Sequence, residues 1–328
     1  MAFGIPHLDV KLELSIRADM KRVEDLLRKQ IQGDYPLVIE TSRHLVEAGG
    51  KRLRPLLTLL SAQFGDSNRP EIIEAAVVCE LTHLATLYHD DVMDEAPLRR
   101  GVKSANARWN NTVAILTGDY LFAKASDLLA DLGPEAVRLQ AHTFERLVIG
   151  QITETQGSSA GLSMLDHYLK VVTDKTGSLI ATSARFGALL SGAPAEVVES
   201  LTRFGEKIGL VFQLADDVID IESETNESGK TPGTDLREGV PTLVTLLVLQ
   251  SQDPTDFALK ELLSAPIIDE EIVASTLKAL RIHRAMEASK ELLHEYADEA
   301  KLELEGLPGG AAKRALIELC ETIVTRTS

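Results

Sequence analysis

Apolar residues recur every three or four positions along most of the chain, and strict alternation of apolar and polar residues is rare. Such spacing puts the apolar side chains on one face of a helix, so it predicts α-helices rather than β-strands. The apolar residues of the first predicted helix are Leu12, Leu14, Ile16, Met20, Val23, Leu26 and Leu27. The same pattern predicts helices over residues 36–48, 52–64, 71–94, 111–131, 135–156, 162–190, 195–223, 240–250, 255–264, 269–281, 283–304 and 310–326. We therefore expect an all-α fold.

Glycine and proline separate many of these helices, and the connections are short. One helix is predicted to end at Gly49-Gly50, and Gly133-Pro134 marks another boundary. No connection is long enough to require a domain boundary. We therefore expect residues 1–328 to form a single all-α domain.

One connection differs from the others. Residues 222–238 are polar, contain glycine and show no apolar periodicity. A long loop without secondary structure inside a compact domain is usually functional or disordered. Because this segment directly follows an acidic helix end, we interpret it as a lid over a site.

The composition narrows the possible functions. The chain has 34 basic and 50 acidic side chains, which gives a net charge of 34 − 50 = −16. This balance argues against nucleic acid as a partner, since nucleic acid phosphates attract basic surfaces. The apolar share of 44% allows a large core, and only 4% of the residues are aromatic. A mostly aliphatic apolar fraction suits closely packed helices.

The sequence also predicts a location. Its first residues show no basic segment followed by an apolar one, which a signal peptide would have. No apolar run approaches the ~20 residues of a membrane-spanning helix. The two cysteines, Cys79 and Cys320, lack metal-ligand spacing, and Cys79 lies in an apolar run. We expect a cytoplasmic protein without a membrane anchor, in which Cys79 is a core residue.

The most informative feature is an aspartate motif, D-D-x-x-D, that occurs twice. It begins at Asp90 and again at Asp216, 216 − 90 = 126 positions later, and each copy closes an apolar helical run. Residues four apart share a helical face, so Asp90 and Asp94 present neighbouring carboxylates, as do Asp216 and Asp220. Like charges at that spacing repel by roughly 0.2–0.5 kcal/mol per pair, and a helix C-terminus is unfavourable for anions. A hard divalent cation such as Mg²⁺ would offset both penalties.

The repeated D-D-x-x-D motif has two alternative interpretations besides a catalytic metal site. Each copy could be a solvated acidic helix end. If the motif occurred only once, this interpretation and a metal site would be equally favoured. Calcium storage is the second alternative, but neither copy has the loop spacing of a dedicated calcium site. The repetition at the ends of two apolar helices favours a functional metal site.

Basic residues that could bind phosphate lie around the acidic motifs. They occur after the helix break at Gly49, after the first acidic motif, in the segment KTG and in the polar loop. A guanidinium group can bind phosphate in a bidentate manner, through two parallel hydrogen bonds. Any one of them alone would be interpreted as a surface charge, but together they indicate a site for diphosphates. The candidates are Lys51, Arg54, Arg99, Arg100, Lys175 and Lys230.

With these motifs, the chain resembles the trans-prenyltransferases, or polyprenyl diphosphate synthases. The resemblance runs from about residue 49 to residue 242 and rests on the segments GGKRLRP, HLATLYHDDVMD, RRG, GDYLFAKA, KTGSL, FQLADDVID and GKTPGTDLREG. It implies a single-domain helical bundle of the isoprenoid synthase type with a central substrate cavity. It also implies magnesium-dependent head-to-tail (1'-4) condensation of isopentenyl diphosphate with an allylic diphosphate.

The resemblance assigns the metal ligands residue by residue. Asp90 and Asp94 would hold two Mg²⁺ ions and Asp216 a third, with Asp217 and Asp220 assisting through water. Mn²⁺ would be able to substitute for Mg²⁺. These ions would bridge the carboxylates to the diphosphate of the allylic substrate.

The resemblance also assigns substrate contacts. The matching residues are Arg99, Lys175 and Lys230 for the allylic diphosphate, Lys51, Arg54, His83 and Arg100 for isopentenyl diphosphate, and Thr176 and Gln213 for the reacting carbons. His83 has a second interpretation, as a core histidine on an apolar helix face. Its position two helical turns before Asp90 favours the role as a ligand.

Two small residues bear on product length. In the family, aromatic residues four or five positions before the first aspartate keep products short. Here those positions are Thr86 and Ala85. The resemblance therefore implies a tunnel that continues past them and a medium- to long-chain all-trans prenyl diphosphate as the product.

One departure and several alternatives accompany this interpretation. Val240 stands where many relatives have lysine, which leaves the lid with one cation fewer and puts the affinity for the allylic diphosphate in question. The alternatives are a geranylgeranyl or farnesyl diphosphate synthase, a non-catalytic subunit of a heteromeric prenyl synthase, a terpene cyclase and a purely structural helical scaffold. Family members are commonly homodimers, so we expect a homodimer.

Overall fold

The computed structural model describes residues 5–6, 8–158, 161–223 and 232–326. Its helices, in chain order, are α1 Val10–Gln30, α2 Pro36–Glu47, α3 Leu53–Ser61, α4 Glu71–Met93, α5 Ala105–Arg108, α6 Asn111–Leu132, α7 Pro134–Gln156, α8 Met164–Val172, α9 Ser178–Leu190, α10 Ala195–Glu222, α11 Thr234–Glu238, α12 Leu243–Gln250, α13 Phe257–Leu262, α14 Glu270–Arg281, α15 Arg284–Leu302 and α16 Ala311–Thr325. The prediction of an all-α fold is confirmed.

The helix ends follow the capping residues in the sequence. Asp9 precedes α1, and its carboxylate accepts hydrogen bonds of 3.1 Å from the backbone N–H groups of Lys11 and Leu12. Asn110 precedes α6 and accepts from the Val113 N–H at 2.9 Å. These side chains satisfy backbone donors that have no partner inside the helix. Most predicted helices therefore begin and end within a few residues of the observed ones.

Three local features differ from the sequence-based expectation. The helix predicted over residues 162–190 is wrong in its middle, because a π-helical turn at Thr173–Gly177 separates α8 from α9. The segment 222–238 was expected to lack secondary structure, yet its end forms α11. The rest of that segment, residues 224–231, lies outside the described residues. A short antiparallel hairpin of β1 Leu98–Arg99 and β2 Val102–Lys103, which periodicity does not predict, follows α4.

The chain divides into two compact units. The first unit extends to Glu145 and includes Ser178–Glu206 and Glu303–Leu319, and the second unit contains Arg146–Gly177, Lys207–Leu302 and the residues from Cys320 onward. The single domain expected over residues 1–328 stays a prediction.

The core of the first unit is built around α4. This helix packs against α1, α3, α6 and α9. Most of its side chains are buried on every face, among them Val77, Cys79 and Leu84. Cys79 is a free, fully buried thiol, which confirms its predicted place in the core. Such a helix, buried all round, can hold functional side chains at fixed positions.

The second unit has a smaller aliphatic core. It joins α10, α11, α12, α14 and α15 through these buried residues: Val218, Ile221, Leu236, Val244, Val248, Ile267, Val273, Leu277, Leu280, Ala285 and Met286. Val218 and Ile221 alternate along α10 with the aspartates of the second acidic motif. The motif is thereby fixed in a packed part of α10, where Asp217 and Asp220 are themselves buried and Asp216 is partly exposed. In the part of the chain that the structure describes, every helix falls short of the length and apolarity that a membrane crossing demands.

Candidate functional site

The first acidic motif closes α4 in the first unit. Asp90 lies in the last turn of the helix and Asp94 is its C-cap residue. The Asp94 N–H donates a 2.8 Å hydrogen bond to the Asp90 carbonyl, so the two residues are one helical turn apart. This is the spacing that the sequence predicted for two neighbouring carboxylates.

The middle carboxylate of this motif has a different environment. Asp91 is fully buried, and its Oδ1 accepts a 2.6 Å hydrogen bond from Arg99 Nε in the hairpin. Burial raises the pKa of Asp91, while the positive charge of Arg99 lowers it. Among the described residues its second carboxyl oxygen, Oδ2, has no hydrogen-bond partner. Asp91 therefore fixes Arg99 beside the acidic motif rather than sharing the outward face of Asp90 and Asp94.

The hairpin also brings Arg100 to the loop after α2. Arg100 has the left-handed backbone angle φ = 53°, and its Nη1 donates to the carbonyl of Leu45 at 2.8 Å and to that of Gly49. Gly50 packs so close that a Cβ there would lie 2.9 Å from the guanidinium carbon of Arg100. This contact explains why the loop has glycine at this position.

Arg54 and His83 lie in the same basic region of the first unit. Burial lowers the pKa of Arg54, and its Nε has no hydrogen-bond partner among the described residues. Burial, followed by the charges of Arg54, Arg100, Arg99 and Arg52, lowers the pKa of His83 well below its usual value. His83 is therefore a neutral imidazole at pH 7 that can donate a hydrogen bond but carries no charge.

The sequence-predicted pocket for isopentenyl diphosphate is largely assembled within this unit. Arg54, His83 and Arg100 act on one another electrostatically, and Lys51 lies exposed just before α3, three residues ahead of Arg54 in the first turn of that helix. Anions are favoured where several fixed cations and donors converge. The buried, unpartnered Nε of Arg54 is a donor that such an anion could use.

The two residues predicted to influence product length lie on α4, just before the acidic motif. Ala85 is fully buried, and Thr86 is partly buried with its hydroxyl donating to the His83 carbonyl at 2.8 Å. Next to them, Gly118 of α6 approaches the Ala85 carbonyl closely, so that a Cβ on Gly118 would lie 3.0 Å from that oxygen. Sequence reasoning missed a neighbouring aromatic pair, Phe122 and Phe144, whose rings are 4.5 Å apart.

The second acidic motif lies on α10 in the second unit. The Asp216 carboxylate accepts a 3.0 Å hydrogen bond from Arg326. Asp220 accepts hydrogen bonds of 3.4 Å from the backbone N–H groups of Thr234 and Asp235, at the start of α11. These contacts connect the motif to the end of the predicted lid segment.

Asp217, the middle acid of the second motif, is buried and hydrogen-bonded on both oxygens. Tyr168 donates to one oxygen, and Gln213 Nε2 donates to the other at 3.0 Å. Burial raises the pKa of Asp217 to about 7, although both hydrogen bonds lower it. Tyr168 was not expected from the sequence, since a tyrosine in an amphipathic helix gives no signal of its own.

Lys175 and Thr176 lie in the π-helical turn of the second unit. Lys175 Nζ is 2.5 Å from Glu154 Oε2, and the Thr176 hydroxyl donates to Gln213 Oε1 at 3.2 Å. Single π-helical turns inside helices occur frequently at functional sites because they displace side chains from the regular helical positions. Thr176, Gln213 and Asp217 thus form one hydrogen-bonded chain. Lys230, the remaining predicted cation, lies outside the described residues.

The acidic residues suit a hard divalent cation. No group of three or more carboxylate, imidazole or thiol side chains in the described ranges is arranged to hold a metal ion. Mg²⁺, however, is usually bound by one or two carboxylates together with water and substrate phosphates. Pairs of carboxylates one turn apart provide that number of oxygen ligands. The residues present therefore fit Mg²⁺ that binds together with a diphosphate.

Comparison with known proteins identifies the family. The model of the polyprenyl synthetase family matches residues 35–280. The chain belongs to the polyprenyl synthetase family. A nonaprenyl diphosphate synthase of Mycobacterium tuberculosis is 48% identical over 98% of this chain and 97% of that protein. Component 2 of the heptaprenyl diphosphate synthase of Geobacillus stearothermophilus is 38% identical over 92% of this chain and 93% of that protein.

A solved structure supports the same conclusion. The chain is similar to the crystal structure of a geranylgeranyl pyrophosphate synthase from Corynebacterium glutamicum complexed with calcium and isoprenyl diphosphate. The match has a TM-score of 0.86 and 43% sequence identity, and it covers 97% of this chain and 98% of the synthase chain. The expected isoprenoid synthase fold is confirmed. The chain is a prenyltransferase of the polyprenyl diphosphate synthase type. Enzymes of this family generally depend on a divalent metal ion.

Proposed function

We propose that this prenyltransferase alone condenses an allylic diphosphate with isopentenyl diphosphate, dependent on Mg²⁺, and adds units in head-to-tail (1'-4) linkage. The observation that carries the proposal is that the first unit contains both a pair of carboxylates and a cluster of basic side chains. Asp90 and Asp94 lie one turn apart at the end of α4, and Arg54, His83 and Arg100 form a basic region near the same helix. The second D-D-x-x-D motif, beginning at Asp216, completes the metal ligands.

The reaction breaks the bond between the allylic C1 and its diphosphate oxygen and forms a bond from that carbon to C4 of isopentenyl diphosphate. A proton then leaves C2 of the former isopentenyl unit, and the released pyrophosphate accepts it. When bound, Mg²⁺ would neutralise negative charge on the departing pyrophosphate. Asp90, Asp94 and Asp216 would hold the metal ions, of which we expect three, and Asp217 and Asp220 would assist through water.

The basic residues of the chain bind and orient the two diphosphates. Arg99, Lys175 and Lys230 bind the allylic diphosphate, and Asp91 holds Arg99 in place for this role. Lys51, Arg54 and Arg100 bind isopentenyl diphosphate as cations, and His83 donates a hydrogen bond as a neutral imidazole. Holding the two substrates in register supplies part of the rate acceleration through proximity.

Thr176 and Gln213 face the reacting carbons. The hydrogen bonds from Thr176 to Gln213 and from Gln213 to Asp217 fix the orientation of the Gln213 amide. Its oxygen can then stabilise the developing allylic cation at a fixed distance. No strong base is required among the side chains, since the proton leaves with pyrophosphate.

The product is a medium- to long-chain all-trans prenyl diphosphate. The small side chains of Ala85 and Thr86 leave room on α4 for a growing chain, and a nonaprenyl diphosphate synthase is 48% identical to this chain. The relative that makes up component 2 of a heptaprenyl synthase raises a second possibility, a subunit that needs a partner. Both D-D-x-x-D motifs are intact here, which favours an enzyme that acts alone.

We further propose that the enzyme is a cytoplasmic homodimer. Ile115 and Leu116 on α6 are 42% and 61% exposed, which gives this helix an apolar surface that a second copy could cover. Sedimentation analysis tests this point independently of activity. A monomer at micromolar concentration would contradict the dimer and leave the proposed reaction intact.

The central experiment is an elongation assay with the purified chain. Labelled isopentenyl diphosphate is combined with geranyl, farnesyl or geranylgeranyl diphosphate, with Mg²⁺ or with a chelator, and product lengths are measured. We expect elongation beyond the geranylgeranyl length with Mg²⁺ and none with the chelator. No elongation by the chain alone would contradict the proposal and favour an inert subunit or a scaffold. A cyclised hydrocarbon would indicate a terpene cyclase.

A further inference from the structure

Glu80 is a buried acid that the proposed reaction does not use. It lies on α4, one turn before His83, and is only 1% exposed. Carboxylates are almost never buried to this extent unless they are paired. Most residues around Glu80 on the helix are apolar, and the charged groups that contact it come from other elements.

The partners of Glu80 are arginines of two separate loops. Its Oε1 accepts a 2.6 Å hydrogen bond from Arg52 Nη1, and Arg100 Nη2 lies 3.9 Å from the same oxygen. Its charge is also the largest influence that keeps the Arg54 guanidinium protonated against burial. One carboxylate thus contacts the guanidinium groups of Arg52 and Arg100 and acts electrostatically on that of Arg54. Arg54 and Arg100 belong to the proposed pocket for isopentenyl diphosphate.

Arg52 connects this carboxylate to the rest of the first unit. Only 8% of its side chain is exposed, and it also donates to Glu24 Oε1 on α1 at 2.6 Å and to the Val46 carbonyl on α2 at 3.0 Å. Burial lowers the pKa of Arg52, but the charges and hydrogen bonds of Glu80 and Glu24 outweigh it and raise the pKa. Arg52 therefore remains charged and ties three helices to the start of α3.

Both arginines that contact Glu80 have an unfavourable backbone conformation. Arg52 has φ = 50° and Arg100 has φ = 53°, in the left-handed region. For a residue other than glycine this conformation is unfavourable, and it persists where surrounding contacts hold it. The two residues begin the turn into α3 and the turn of the hairpin. Glu80 therefore links the strained turn that leads from Lys51 to Arg54 at the start of α3 with the strained hairpin turn of Arg100.

The charges explain why such a carboxylate is needed. Burial lowers the pKa of both Arg54 and Arg100; the charge of Arg100 lowers the pKa of Arg54 further, and the charges of Arg52 and Arg99 lower that of Arg100. Without a buried counter-charge the guanidinium groups would separate toward solvent before substrate arrives. A preorganised site avoids that rearrangement when the ligand binds.

We infer that Glu80 is a positioning residue for the isopentenyl diphosphate pocket, because its buried carboxylate forms ion pairs with Arg52 and Arg100. Glu80 does not touch the substrate. It fixes the turn that carries Lys51, the start of α3 with Arg54 and the guanidinium of Arg100 in the arrangement that receives a diphosphate. This inference rests on the proposed function and adds to it the residue that organises one of the two substrate sites.

Glu80→Gln tests the inference, with Glu71→Gln as a control that removes an exposed charge from the same helix. We expect KM for isopentenyl diphosphate to rise about tenfold or more in Glu80→Gln. KM for the allylic primer and kcat should change less than about threefold. A merely structural role would lower the melting temperature and the active fraction without this selectivity. Equal changes in both KM values, or an unchanged KM for isopentenyl diphosphate, would overturn the inference.

Glu80→Asp keeps the test decisive if Glu80→Gln does not fold. It retains the charge but withdraws the carboxylate from Arg52 by one methylene, so we expect an intermediate rise in KM for isopentenyl diphosphate. An unchanged value would overturn the inference. If the wild-type chain elongates no primer, the proposed function fails instead. Calorimetric titration of isopentenyl diphosphate into the wild type and the variants still reports on Glu80 in that case.

Discussion

The Arg99 guanidinium lies 2.6 Å from the carboxylate of Asp91, the second aspartate of the first D-D-x-x-D motif. Asp91 is fully buried, while Asp90 and Asp94 lie one turn apart at the end of the same helix. Adjacent aspartates of one motif therefore have different roles. In the proposed reaction Asp90 holds metal, whereas Asp91 holds Arg99.

This difference predicts distinct effects of two conservative substitutions. Asp90→Asn should raise the Mg²⁺ concentration for half-maximal activity by roughly 10-fold or more, because a metal ligand is lost. Asp91→Asn should leave that concentration within about twofold of the wild type and raise KM for the allylic diphosphate, because Arg99 loses its partner. Magnesium titrations of initial rate with each variant check both effects. A similar shift in the magnesium dependence of the two variants would contradict the division of roles.

Ala85 provides a test of product length. Ala85→Phe places an aromatic ring at a fully buried position of α4, five residues before Asp90, and should shorten the longest product. Ala85→Ser is the matched control, since it stays small and should leave the distribution of lengths unchanged. Chromatography of the dephosphorylated products measures both. An identical distribution in Ala85→Phe and the wild type would show that another residue limits the chain.

His83 predicts a pH dependence of stability. Burial and four nearby arginines lower its pKa in the folded state, whereas an unfolded histidine titrates near ~6.5. The unfolded state therefore binds the proton more readily, and the free energy of unfolding should fall as the pH drops below ~6.5. His83→Gln removes the titratable imidazole and keeps a hydrogen-bond donor at this position. Its stability should decline less steeply between pH ~6.5 and ~5.

Denaturant unfolding at several pH values measures this slope. His142→Gln, at an exposed position with 71% of the side chain accessible, is the control and should behave as the wild type does. Equal slopes for the wild type and His83→Gln would show that His83 is not held neutral. In the elongation assay, His83→Ala should raise KM for isopentenyl diphosphate more than His83→Gln, because only the glutamine can donate a hydrogen bond.

The close packing of α4 and α6 predicts a stability effect at Gly118. A methyl group there would overlap the His89 imidazole and lie 3.0 Å from the Ala85 carbonyl oxygen. Gly118→Ala should therefore destabilise the protein by about 1–3 kcal/mol, as overpacked sites do. Gly306→Ala is the control, since a Cβ at Gly306 meets no described atom within 4 Å. Urea unfolding that gives the same free energy for both variants would contradict this packing.

Much of this structure is predictable from sequence because helical periodicity and carboxylate spacing are local properties. The period of apolar residues predicts helix α4, and the four-residue spacing predicts that Asp90 and Asp94 are neighbours. The π-helical turn at Thr173–Gly177 is not predictable in this way, because its residues fit an ordinary helix and the distortion depends on packing. Gly150 illustrates this, since its lack of a side chain lets the Lys175 backbone approach closely.

The contacts made by buried charged residues were also not predictable from the sequence. Glu80 stands in an apolar helical run, which is a signal that could have singled it out. Its partner Arg52, however, is 28 residues away in sequence and reaches it only through a left-handed turn. The sequence identified Gln213 through family resemblance, but not the Tyr168 hydroxyl that shares the Asp217 carboxylate with it.

The central claim is that the two acidic motifs act together on one allylic diphosphate. The most direct test is calorimetric titration of a non-hydrolysable allylic thiodiphosphate with Mg²⁺ into the wild type, Asp90→Asn, Asp216→Asn and the double variant. We predict that each single substitution weakens binding by roughly 10–100-fold and that the double variant binds little worse than either single one. Losses that simply add in the double variant, or wild-type affinity in either single variant, would contradict the claim.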